Sequence, residues 1–127
     1  MTNAVFATKG SMTQAWTTNG KRLPITKVTV EPNLVIGVHE ADVSVEGRAH
    51  QREAKTVLEV GYGKKKLQRM TKPLRDRLTQ NGFDTGVKQI RGIRVENADE
   101  APEAGSTITV SDVLSVGDVV KVQGITK

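Results

Sequence analysis

The stretch that decides the fold is Val57-Leu58-Glu59-Val60-Gly61-Tyr62-Gly63-Lys64-Lys65-Lys66-Leu67-Gln68-Arg69-Met70-Thr71-Lys72-Pro73. It opens as a strand. Leu58, Val60 and Tyr62 alternate with Val57, Glu59 and Gly61, the period of a pleated surface with one buried face. Two glycines are then expected to break the strand. Five cations follow within nine residues, and Pro73 ends the run. A rigid strand at one end therefore presents dense positive charge at the other, a shape suited to phosphates. A solvated basic loop is the ordinary reading of such a run. The charge map favours the sharper one. Lys64 to Arg94 holds ten Lys or Arg against two acids, Asp76 and Asp84, whereas Val95 to Val120 holds six acids and no Lys or Arg. The net charge of +5 is thus a local basic excess diluted by an acidic segment, as expected of a polyanion-binding face.

The totals bound the rest. A chain of 127 residues is expected to form one domain over 1–127 with a modest core. With no cysteine, disulfides and thiolate metal sites are excluded. His39 and His50 lack the spaced partners of a metal site, and both read as loop residues with no nucleophile or orienting acid nearby. No cofactor is called for. No apolar run reaches the ~18 residues of a membrane helix. Met1 to Phe6 lacks the features of a signal peptide, so the cytosol is the expected compartment. The four aromatics, Phe6, Trp16, Tyr62 and Phe83, count against a base-stacking platform, and Trp16 reads as core or rim packing. Gly61-Tyr62-Gly63-Lys64 lacks the Ser or Thr that a P-loop needs after its lysine.

Strand signals run along most of the chain. Asn3 to Ala7 is a short candidate, Lys9-Gly10-Ser11 a turn or bulge, and Met12 to Thr17 a strand. Thr18-Asn19-Gly20-Lys21 predicts a tight hairpin turn with both central residues at positive φ. Arg22 to Val30 returns, with Pro24 near its start. Leu34 to Val38 reads as a central strand. Ala41 to Lys55 is polar and without period, and reads as a loop. Pro73 predicts the start of a helix of two to three turns, with Leu74 and Leu78 on one face and Asn81-Gly82 as its stop. Ile90 to Val95, Thr107 to Val110 and Val119 to Gln123 read as strands, with Ser115 to Asp118 as a turn and Asn97 to Gly105 as an acidic loop. The expected fold is a mainly β, small and partly open barrel of seven or eight short strands with one short helix. It carries a polar loop at 41–55 and a basic strand-loop-helix at 57–82.

Several pieces occur in the order and near the spacing of one family. They are Lys9-Gly10-Ser11-Met12-Thr13-Gln14, Asn19 to Thr26, Val60 to Lys66 with Arg69 and Lys72-Pro73, Phe83 followed by Ile93 to Glu96, and Val116 to Gly124. Each alone is weak; together they resemble the N-terminal part of the L-three family of large-subunit ribosomal proteins, most like its bacterial and organellar members. The resemblance implies a barrel of the type shared with translation factors, seated on large-subunit ribosomal RNA, with a structural and assembly role and no catalysis. It implies ribosomal proteins as neighbours and a cytoplasmic or organellar ribosome as location. Lys9, Gly10, Met12 and Thr13 would form an RNA-facing turn. Lys64, Lys65, Lys66, Arg69 and Lys72 would follow the phosphates, with Arg75 and Arg77 on the helix and Arg22 and Lys127 as further contacts. Family members run on past Gly124-Ile125-Thr126-Lys127 into a Gly- and Lys-rich segment, a long extension and further barrel strands. The expected barrel is therefore open, completed by another chain or closed by self-association. The alternative function is a truncated or engineered barrel that self-associates, as a homodimer through its open edges.

Overall fold

The computed structural model describes residues 2–45, 48–96 and 98–125, with side chains described outside 41–54. The chain is mainly β. A four-stranded antiparallel sheet curls into half a barrel, with strand order β5-β4-β3-β6. Its members are β3 (Asn33–Val45), β4 (Arg48–Lys65), β5 (Gly86–Val95) and β6 (Thr107–Ile108). A separate two-stranded ribbon pairs β1 (Thr8–Trp16) with β2 (Arg22–Thr29). Helix α1 (Lys72–Gln80) joins β4 to β5, and a four-residue helix α2 (Val110–Val113) follows β6.

The apolar strand cores of β3, β4 and β5 dictate this arrangement. Leu58 and Val60 are fully buried and meet Val35, Ile93, Val95 and Ile108 in one cluster, with Phe6, Ala101 and Val113 packed at its edge. Ile36, left over at a bulge between Val35 and Gly37, joins a second cluster with Met70, Leu78 and Val87. Leu67, Leu74 and Phe83 pack against that second group. Helix α1 is thus held by apolar contact with the sheet rather than by intrinsic propensity, as its short length requires.

Several expectations are corrected. Asn3 to Ala7 forms no strand, because the Phe6 backbone is engaged by a side chain. Asn33 Oδ1 accepts from the Phe6 N–H at 2.9 Å, and Asn33 Nδ2 donates to the Phe6 and Glu31 carbonyls at 3.1 and 2.8 Å. In the β1–β2 turn only Gly20 has positive φ, at 78°. The Gly20 N–H donates to the Thr17 carbonyl and the Thr17 N–H to the Lys21 carbonyl, which is a type I turn closed by a glycine bulge. The stretch read as a polar loop at 41–55 carries paired strands, from Ala41 opposite Lys55 to Val45 opposite Arg48. Backbone pairing propagates outward from the buried ladder and needs no apolar alternation. Nor do the glycines break β4, which continues through Gly61 and Gly63 to Lys65.

At the C-terminal end, β6 is two residues long. Thr109 then caps α2 instead of extending the strand: its N–H and hydroxyl both donate to Asp112 Oδ2, at 2.9 and 2.8 Å. The Ser115–Asp118 turn is present, with the Asp118 N–H donating to the Ser115 carbonyl. Val119 to Gln123 has no ladder partner among the described residues. The described strands therefore number six, and α2 is a second, minor helix.

The Thr109 hydrogen bonds hold the Asp112 carboxyl below its ordinary value of 3.8, the backbone N–H contributing most. A depressed pKa contributes stability above the unfolded value and loses it as pH falls through the folded one. An NMR titration is expected to show the Thr109 amide shifting with a midpoint below 3.8. A midpoint at or above that value would mean that the cap is not formed.

Candidate functional site

The basic run is positioned from beneath by apolar side chains. After Lys65 the chain makes a single 3-10 turn over Leu67–Arg69, in which the Arg69 and Met70 N–H groups donate to the Lys66 and Leu67 carbonyls. Leu67 is half-buried and Met70 is buried. Met70 lies so close over Gly86 that a Cβ there would stand 2.8 Å from the Met70 Cγ. Glycine at 86 is therefore what admits the thioether. Leu74 and Leu78 continue the same anchoring row along α1. Because 67, 70, 74 and 78 face inward, Lys64, Lys65, Lys66, Arg69 and Lys72 are left exposed. Among the described residues none of these five makes an ion pair. Like charges held this close, none of them paired directly with an acid, attract a polyanion whose own charges are similarly spaced.

An open groove of about 630 Å³ is lined by Lys64, Lys65, Lys66, Leu67 and Gln68 together with Asp84 and Thr85. A second groove, of about 310 Å³, lies on the other side of Lys65 and Arg69, between the turn and β5. Gly63, with φ of 80°, adopts the left-handed region that favours glycine, and the Lys88 side chain packs over it at about 3.0 Å from where a Cβ would lie. Lys88, Arg91 and Arg94 are exposed on β5, an edge strand of the sheet. Their charge belongs to the basic excess from Lys64 to Arg94, but the sequence alone does not place them in the site. The signal was there: an antiparallel β5 brings Lys88 alongside the end of β4.

Not every expected contact faces outward. Arg77 turns to β4, where both of its terminal nitrogens donate to the Glu59 carboxylate, Nη1 at 3.1 Å and Nη2 more closely. His39 Nε2 stands 3.7 Å from the same carboxylate. Gly37 leaves room for the guanidinium, since a Cβ there would lie 2.7 Å from Arg77 Nη2. Helix periodicity cannot reveal this pairing, because Glu59 lies on another element. Arg75 is half-buried, and its carbonyl accepts from the Thr79 hydroxyl at 2.9 Å. Asn81 closes the helix, its side-chain N–H groups donating to the Ile36 and Arg77 carbonyls at 2.9 and 3.1 Å.

Lys9, Gly10, Thr13 and Arg22 sit on the ribbon, apart from the main sheet's ladder. The β1 bulge falls between Lys9 and Met12, as the glycine there suggested. Lys9 pairs across with Val28, and Arg22 with Trp16 near the turn. Trp16 is 69% exposed, so it is neither core nor rim packing. Lys127 lies outside the described residues. Among the described residues, no group of three or more His, Asp or Glu is placed to hold a metal ion, and no helix is long and apolar enough to cross a membrane.

No family model matches the sequence. Similarity to individual proteins is nonetheless extensive. The chain is 30% identical over 127 residues to large ribosomal subunit protein uL3 of Chromohalobacter salexigens, covering 100% of this chain and 55% of that protein. It is 30% identical over 127 residues to the uL3 of Cupriavidus taiwanensis, covering 99% and 54%. The uL3 of Carboxydothermus hydrogenoformans gives 30% over 127 residues, covering 100% and 55%. The chain spans about half the length of the curated relatives it matches.

Proposed function

We propose, from the premise that this chain is a relative of the N-terminal portion of the L-three proteins of the large ribosomal subunit, that it is a structural constituent of that subunit and binds ribosomal RNA. The observation that carries this reading is the set of five exposed cations, Lys64, Lys65, Lys66, Arg69 and Lys72, held over a row of apolar anchors. Arg75 extends the strip along α1. Lys9, Gly10, Thr13 and Arg22 supply a separate contact on the ribbon. Arg77 serves by fixing the helix to Glu59. The work is binding and assembly, not catalysis. Ribosomal proteins are its neighbours, and the ribosome in the cytoplasm is its location.

Because the contacts are ionic, salt tests them. Each phosphate neutralised contributes about 0.9 to the slope of log affinity against log salt. Replacing Lys64, Lys65 and Lys66 together by Gln is expected to flatten the slope for a large-subunit ribosomal RNA fragment by about 2 to 3 units. Filter binding across a salt series reads this. An unchanged slope would remove the strip from the interface.

The exposed apolar side chains of the ribbon favour a second reading. Met12, Trp16, Leu23, Ile25 and Val28 are 39% to 69% exposed, more apolar surface than a two-stranded ribbon needs. Under this reading the ribbon is a protein-contact surface, and sedimentation of the chain without RNA would show concentration-dependent association.

A further inference from the structure

The groove between the Leu67–Arg69 turn and β5 differs in kind from the cation strip beside it. Its rim carries Lys65, Arg69 and Lys88 from three separate segments, and no acid lines it. Its floor carries the apolar Met70, Leu74, Val87 and Ile90, beside the polar Thr71 and Gln89. Met70 is only 9% exposed, so this floor is a piece of the second core cluster reaching the surface. At about 310 Å³ the groove lies at the small end of ligand clefts, which run roughly 300 to 1,000 Å³.

A run of phosphates along a duplex has no use for an apolar floor, because its bases are stacked inside the helix. A concave site with cations above and apolar groups below matches a nucleotide whose base has left the stack. Bulges and loops expose such bases, and these are the places where proteins read RNA most closely. Neither Tyr62 nor Phe6 lines this groove. Their rings stack on each other, with centroids 4.8 Å apart and planes 15° from parallel.

We propose that this groove takes one unpaired nucleotide of the bound RNA, its phosphate against Lys65, Arg69 and Lys88 and its base against Met70, Leu74 and Ile90. The proposal rests on the RNA-binding reading above and narrows it. Lys88 is the discriminating residue. It borders this groove and not the larger one, it is exposed, and Gly63 beneath it fixes where its stem begins.

The test uses three RNAs: a fully paired hairpin, the same hairpin with one unpaired uridine in its stem, and the same hairpin with an abasic ribose at that position. The chain is expected to bind the uridine bulge about tenfold more tightly than the paired stem, a difference of about 1.4 kcal/mol. The abasic probe should lose most of that preference. Lys88→Gln should reduce it below about threefold, with an unchanged thermal unfolding curve. Lys64→Gln, outside this groove, should weaken all three RNAs alike. Equal affinity for the three RNAs would overturn the proposal while leaving the RNA-binding reading intact. A bulge preference untouched by Lys88→Gln would place the nucleotide elsewhere and overturn it too. Failure to bind any of the three would overturn both readings.

Discussion

Asn33→Ala is expected to destabilise the chain by about 2 to 3 kcal/mol, although it removes no apolar contact and lies outside the basic strip. Asn33 is fully buried, and its amide is held by backbone groups of Phe6 and Glu31. Its oxygen accepts from the Phe6 N–H, and its nitrogen donates to the Phe6 and Glu31 carbonyls. It thereby plays the part that a neighbouring strand would play for Phe6. Deleting the side chain leaves one backbone donor and two backbone acceptors to find water in a part-buried place. A polar group left unsatisfied on burial costs about 1 to 3 kcal/mol. Some of these groups sit near enough to solvent to recover part of that, which sets the estimate below the sum. The loss should also free the segment around Phe6, whose ring stacks on Tyr62. Urea unfolding gives the stability change. Proteolysis under native conditions reads the second effect, as faster cleavage before Thr8. A change below about 0.5 kcal/mol, the scale of an ordinary surface substitution, would show that something other than Asn33 holds the N-terminal segment. Asn33→Asp separates the two halves of the effect, since it keeps an acceptor for Phe6 while losing both donations and burying a charge.

The fate of Asn33 shows where the sequence stops being informative. Several local signals survive intact. The Leu58/Val60 alternation marks two of the most buried side chains. Pro73 falls in the first turn of α1, and Asn81-Gly82 ends it. Much of what failed depended on partners far along the chain. Nothing beside Asn33 in the sequence marks it as the partner of Phe6, 27 positions away. Arg77 reads as one more exposed cation on a helix until Glu59, 18 positions away, meets it. The stretch 41–55 has no apolar period because its pairing is inherited from the buried ladder next to it. Val119 to Gln123 has a convincing strand pattern yet forms no ladder among the described residues, since a strand needs a neighbour that its own residues cannot specify. The candidate site divides along the same line. Lys64 to Lys72 was legible as a run of charge, because its anchors Leu67 and Met70 lie within the run and Leu74 just beyond it. Lys88 was not, because only the β4–β5 register brings it to the groove.

Leu78→Ala is expected to carry the larger effect, about 3 kcal/mol, within the roughly 2 to 5 kcal/mol typical of a buried leucine. Leu78 is 1% exposed and packs with Ile36, Met70 and Val87. The helix it belongs to has only nine residues, too few to persist without packing. Against a total stability of roughly 5 to 15 kcal/mol for a folded domain, such a loss is a large fraction. Met70 and Leu67 belong to or border the same cluster, so the cation-bearing turn loses support together with α1. The substitution removes no charge, yet RNA affinity should fall under conditions where the chain is still folded, because five cations held in fixed positions bind better than five that must be ordered on contact. Lys64→Gln supplies the contrast: it should flatten the salt slope and leave stability nearly unchanged. Measured together, the pair separates the two contributions to binding. If Leu78→Ala lowered the urea midpoint but left RNA affinity unchanged at low denaturant, the cations would be acting as a flexible charged segment, and the anchoring row at 67, 70, 74 and 78 would serve stability alone.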